Sequence, residues 1–217
     1  NHLPQDSWYE NEFSFIQGLD LKNRIITEFK AIRFAYKLYE GIEATNENLL
    51  FEVRNQILAY ASIYEAVIEN VLNSYYSDTV EFDSLMHHII PMKISIPQSK
   101  QDILQNVLSH DGKVIVPFYY TRKRKEKPQV RFDEKCRTAE GLGLIHKFIN
   151  DDGVEIDLPS EIIEIYSYRN GIHIIAEQRK GINYELDLSK KAYRRMRPFI
   201  DQLKDKLIQD GKIQINY

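Results

Sequence analysis

Only one cysteine, Cys136, occurs in the 217 residues. A single thiol closes no internal disulfide and anchors no Cys-rich zinc site, so a reducing cytoplasm is the expected compartment. The expected role of Cys136 is a small, partly buried side chain on a helix. No apolar run approaches the ~18 residues that a membrane span needs, so no membrane association is expected. No charged-then-apolar leader opens the chain, and Asn1 in place of Met leaves room for a preceding segment or domain. Also missing are a phosphate-binding glycine loop, a dinucleotide fingerprint and a serine nucleophile elbow, which sets aside the common nucleotide-cofactor and hydrolase readings. His87 and His88 are adjacent and diverge on either a helix or a strand, with no acid or cysteine at ligand spacing to both. Neither a metal nor a cofactor is expected. His110 and His146 read as surface or packing residues.

What remains is an ordinary globular composition. Hydrophobic residues make up 43%, charged residues 28%, and the net charge is -3, so any affinity for a polyanion must be local. The length suits one elaborated domain, 1–217, with its own core. From Asn23 to Glu40, Ile25, Ile26, Phe29, Ile32, Phe34, Tyr36 and Tyr39 recur at mostly helical spacing, with Asn23 as a cap and Gly41 as a stop. From Asn46 to Tyr76 the stripe Leu50, Val53, Ile57, Tyr60, Tyr64, Val67, Val71, Tyr75 keeps the period with no Gly or Pro. That segment is the expected spine.

The pattern then changes. IIPMKISIP reads as extended, SKQDILQNVLSHDG as a short helix closed by Gly112, and KVIVPFYY as a strand. TRKRKEKP is expected to connect this strand to a return strand, QVRF. The α/β segment, about 81–130, is thus an insertion in a helical chain. Helices are expected again over DEKCRTAEGLG, from Leu158 with Pro159 in its first turn, and from Ser189 to about Gln209. In the last of these Tyr193, Met196, Ile200, Leu203 and Leu207 face inward, and Pro198 bends the helix or sits near its start. The fold class expected is mainly α, an antiparallel helical bundle with a small β-hairpin insertion.

The helix from Leu158 runs into SYRNGIHIIAE, which sets Arg169, Asn170 and His173 among Ile and Tyr. Residues four apart differ by about 40° around a helix, so Arg169 and His173 share a face and can grip one anion. RNGIH resembles the Arg-polar-x-x-His signature of the HEPN superfamily of toxin, antiviral-defence and RNA-processing domains. LLFEVRNQILAYASIYEAVIENVL resembles the second helix of that bundle, and RFDEKCRTAEGLGLIHKF with LPSEIIEIYSYRN its third and fourth. The resemblance implies a HEPN-like bundle and metal-independent endoribonuclease chemistry. His173 would move a proton to or from the ribose 2'-hydroxyl or the leaving oxygen, Arg169 would hold the scissile phosphate, and Asn170 would orient either. It also implies a homodimer that brings two histidines together, an RNA substrate, and a cognate antitoxin or partner domain. Asn170, Gly171 and Ile172 alone separate the pair, a shorter spacing than in family members judged active.

The same residues have a structural reading: Arg169 pairs with Glu177, Glu164 or Glu161, His173 packs at the core or interface, and the chain is a silent module for dimerisation and for binding a partner or nucleotide. Two basic clusters bear on the choice. Arg122, Lys123, Arg124, Lys125 and Lys127 follow Tyr119 and Tyr120 and can track an RNA backbone with rings beside it, or form a solvated hairpin tip. In KKAYRRMR, Arg194 and Arg195 are the candidate RNA contacts, or part of a polar helix face.

Overall fold

The computed structural model describes residues 3–108, 111–126, 129–169 and 186–214. Among these, eight helices and two small antiparallel sheets are formed, and the chain is mainly helical. Helices α1 (Asp6–Glu12) and α2 (Leu19–Gly41) precede the long α3 (Asn46–Tyr75). Next come α4 (Val80–Leu85), β1 (His87–Lys93), α5 (Gln98–Leu108) and β2 (Phe118–Arg124). The chain closes with α6 (Phe132–Gly141), β3 (Phe148–Ile149), β4 (Glu155–Ile156), α7 (Leu158–Arg169) and α8 (Leu186–Gln209).

The expected spine is the observed one. Val53, Ile57, Tyr60, Tyr64, Val67 and Val71 of α3 are all buried, because their spacing places them along one stripe. Helices α2, α6, α7 and α8 each pack on α3. Tyr64 fixes the centre: its ring meets Phe199 edge-on at 4.9 Å and its hydroxyl donates to the Ala192 carbonyl at 2.8 Å. Satisfying that hydroxyl inside the core avoids the cost of an unpaired buried donor. Ile25, Ile26, Phe29 and Ile32 of α2 are buried, whereas Phe34 is exposed. Helix α2 starts at Leu19, four residues before the expected Asn23 cap, after Gly18 with φ of 89°. Cys136 is fully buried in α6, and burial pushes its thiol pKa far upward, so it stays a neutral packing group.

Several expectations change. QVRF is no strand: Phe132 opens α6, and Arg131 precedes it with its N–H donating to Glu134 at 3.1 Å. Thr121 to Arg124 of the basic run are not a connection but the second half of β2, which pairs with β1 from His87↔Arg124 to Lys93↔Phe118. Of the two expectations for Pro198, only a place near the start of α8 is excluded, since it lies well inside the helix. Tyr193 also departs from the inward stripe of α8 and is 44% exposed, while Met196, Ile200, Leu203 and Leu207 are buried as expected.

The β1–α5–β2 segment is an arm. Both faces of its ribbon carry exposed side chains, and α5 has no buried residue. The arm leaves and rejoins the bundle at one place, where the Lys125 N–H donates to the Met86 carbonyl at 2.7 Å. Arg122 is bonded to the Asp83 carboxylate of α4, and Lys125 bridges Glu134 of α6 at 2.8 Å.

Candidate functional site

Arg169 is the last residue of α7, and its guanidinium turns to α3. Nη1 donates to Glu65 at 2.5 Å and to the Tyr166 hydroxyl at 2.9 Å. The Tyr166 hydroxyl in turn donates to the other Glu65 oxygen at 2.9 Å. The Arg169 carbon also lies 5.2 Å from the Tyr166 ring centroid, within cation–π range. Tyr166 is itself fixed by stacking on Phe132 of α6, with centroids 4.1 Å apart. Partial burial, and then the Glu65 carboxylate, hold the Tyr166 hydroxyl above its ordinary pKa, so it remains a neutral donor.

This triangle uses one guanidinium nitrogen. Among the described residues, Nε and Nη2 of Arg169 have no hydrogen-bond partner, and the side chain is one-third exposed. Glu65 and Tyr166 form part of the wall of an open groove of about 560 Å³ that Ser167, Arg131 and Lys135 also line. The groove is of mixed charge, since Glu69 and Asp133 line it too.

Among the described residues, the carboxylate that holds Arg169 is therefore neither Glu164 nor Glu161 of its own helix. Glu164 is taken by Lys191 at 2.7 Å, and Glu161 by Arg195. Glu65 comes from 104 residues away, and only the packing of α7 on α3 brings it there. Asn170, His173 and Glu177 lie outside the described residues, as does Lys127.

The basic candidates part company. Arg195 is engaged by Glu161 in the α7–α8 interface with 17% of its side chain exposed, and Lys125 is 10% exposed on Glu134. Both hold the fold together and are removed from a free basic surface. Arg122 is half exposed but tied to Asp83. Lys123 and Arg124 are exposed and form no ion pair among the described residues. Strand alternation puts Phe118, Tyr120, Arg122 and Arg124 on one ribbon face and Tyr119, Thr121 and Lys123 on the other. Tyr119 and Tyr120, 52% and 74% exposed, thus serve opposite faces. No Asp or Glu occurs from His87 to Gln101 or from Lys113 to Lys125, so the ribbon carries positive charge on a chain whose net charge is -3. Arg194 is exposed and stands at a separate pocket formed by α2, α3 and α8. Among the described residues, that pocket and the groove beside Arg169 share no lining residue.

Among the described residues, no group of three or more His, Cys, Asp or Glu is placed to hold a metal ion, and no helix is long and apolar enough to cross a membrane. His87 points Nδ1 at the Asp83 carbonyl, 2.7 Å away. The architecture is that of a mainly helical protein bearing one basic β arm. Compared with protein-family models, curated proteins and solved structures, the chain gives no match in any of the three.

Proposed function

We propose that the protein is a metal-independent endoribonuclease of HEPN-like type, of the toxin or antiviral-defence kind, working as a homodimer. The observation that carries the reading is the Arg169 clamp. Glu65 and Tyr166 fix one nitrogen of the guanidinium, and among the described residues none engages Nε or Nη2, which can take a phosphodiester. A guanidinium oriented in advance loses less freedom when it binds a phosphate oxygen pair, and it offsets the charge that grows on those oxygens in the transition state. His173 takes the 2'-hydroxyl proton, the 2'-oxygen attacks phosphorus, and the bond to the 5'-oxygen breaks. The leaving oxygen receives a proton from the partner subunit's His173. The products are a 2',3'-cyclic phosphate and a 5'-hydroxyl. The carboxylate-free ribbon with its exposed tyrosines supplies a surface for the RNA strand outside the reacting centre.

A second reading, a silent helical module for self-association, rests on the Arg169–Glu65 pair itself, since a guanidinium neutralised by its own fold needs no substrate anion. Cleavage of mixed RNA by the Arg169→Ala and Arg169→Lys variants separates the two. The enzyme reading expects loss of cleavage in both with the dimer intact, since Lys offers no planar fork. The module reading expects no cleavage by any form and weaker association of the Ala variant.

A further inference from the structure

Helices α2, α3 and α8 enclose a pocket of about 300 Å³. Arg33, Lys37, Lys190 and Arg194 line it, and none of the described lining residues is acidic. Lys37 is paired with Glu40 at 2.5 Å and Lys190 with Asp187 at 3.6 Å. Arg33 and Arg194 have no carboxylate partner among the described residues. Arg33 lies instead between rings, 5.1 Å from the Trp8 centroid and 5.6 Å from that of Tyr193. Arg33 and Arg194, two guanidiniums without a carboxylate partner at one concave wall, repel one another, and an anion relieves that repulsion.

The other lining groups fit a flat ring. Tyr36 and Tyr193 present aromatic surface, and Tyr193 is the residue that leaves the buried stripe of α8 to do so. Tyr60 is 2% exposed, its ring is packed against Phe29 at 6.3 Å, and it lines the pocket. Its hydroxyl has no hydrogen-bond partner among the described residues, in contrast to Tyr64 one turn on, whose hydroxyl is satisfied by Ala192. A hydroxyl without a protein partner in the wall of a cavity is a place for a ligand atom. The Gln56 amide, 4% exposed, lines the same wall.

We propose that this pocket binds one nucleoside phosphate. The base lies against Tyr36 and Tyr193, the Tyr60 hydroxyl and Gln56 amide meet its polar edge, and Arg33 and Arg194 take the phosphate. The pocket is at the small end of the range for ligand sites, which suits one nucleotide and not a strand. The same chemistry is offered by a free mononucleotide and by the 5'-phosphorylated end of an RNA. The inference stands apart from the ribonuclease reading, because the pocket contains neither Arg169 nor the residues that hold it.

The test is calorimetric titration of the full chain with AMP, GMP, CMP and UMP, with inorganic phosphate, and with a short RNA bearing or lacking a 5'-phosphate. Binding of a mononucleotide, at least about tenfold tighter than inorganic phosphate, is expected. Arg194→Glu, an exposed change that leaves the core intact, should weaken it by more than about tenfold, and Tyr60→Phe by about fivefold. His173→Ala should leave it unchanged, so that loss of cleavage and loss of this site are told apart. Binding of the 5'-phosphorylated RNA without the free nucleotides assigns the pocket to a strand end. No binding of any nucleotide or phosphorylated RNA at millimolar concentration overturns the proposal, as does binding that neither variant alters.

Discussion

Glu65 of α3 and Arg169 of α7 meet at 2.5 Å across the bundle, with Tyr166 closing the triangle to both. The pair ties the end of α7 to the spine at the residue where the Arg-Asn-x-x-His motif begins. On the proposed reading the clamp orients the guanidinium. Glu65→Ala should therefore lower RNA cleavage by at least about tenfold while costing only about 1 kcal/mol in stability, as a partly exposed pair does. Single-turnover cleavage and urea unfolding of the same preparation measure the two effects. A large stability loss with unchanged cleavage would make the pair purely structural.

Tyr166→Phe keeps the stack on Phe132 and removes two hydrogen bonds, one given to Glu65 and one taken from Arg169. A loss of about 1–2 kcal/mol is expected in chemical denaturation. An unchanged midpoint would mean that water replaces the hydroxyl without cost.

The arm should be removable. Met86 and Lys125 are hydrogen-bonded neighbours, so residues 87–124 can be replaced by a short Gly-Ser turn without stretching the bundle. Because α5 buries nothing and the ribbon is open on both faces, the melting temperature should change by only a few degrees. RNA affinity should fall, and with it the steepness of its salt dependence, since Lys123 and Arg124 leave with the arm. Collapse of the bundle on excision would instead make the arm part of the core.

Glu52 supplies a pH dependence. It is 4% exposed in α3, and burial raises its carboxyl pKa above the ordinary 4.5, against an opposing hydrogen bond donated by Gln56 at 2.8 Å. The unfolded chain therefore ionises Glu52 at lower pH than the folded one. Stability from the neutral carboxyl is fully present below about 4.5 and is lost as pH rises through the folded value. Glu52→Gln should accordingly be more stable than the parent at pH 7, with the gain vanishing toward pH 4. A gain that is the same at both values would trace to packing and not to ionisation.

The sequence showed the bundle more plainly than the arm, for physical reasons. A stripe as long as that of α3 repeats its period over about seven turns, and little else produces such a pattern. Short helices leave almost none: α1 and α4 span seven and six residues and were not legible, although Thr79 caps α4 through the Phe82 N–H at 3.2 Å. The basic run read as a loop because seven consecutive charged or polar residues, Thr121 to Lys127, look like a solvated turn, yet strand alternation continues from Thr121 to Arg124, and β1 pairs with those four. At the site, Arg169 was legible as a guanidinium in need of a partner. Glu65 was not, because two residues 104 apart meet only after the helices pack. Pairing of Arg195 and Lys125 with carboxylates was equally hidden, since a charge on a helix face or strand end gives no sign of what will lie across from it.

The account is tested most directly by incubating mixed RNA, in the presence of a chelator, with the purified protein and with its His173→Ala variant, and reading the ends of any fragments. The proposed chemistry predicts fragments with 2',3'-cyclic phosphate and 5'-hydroxyl ends from the parent and intact RNA from the variant. Intact RNA in both, or equal cleavage by both, contradicts it.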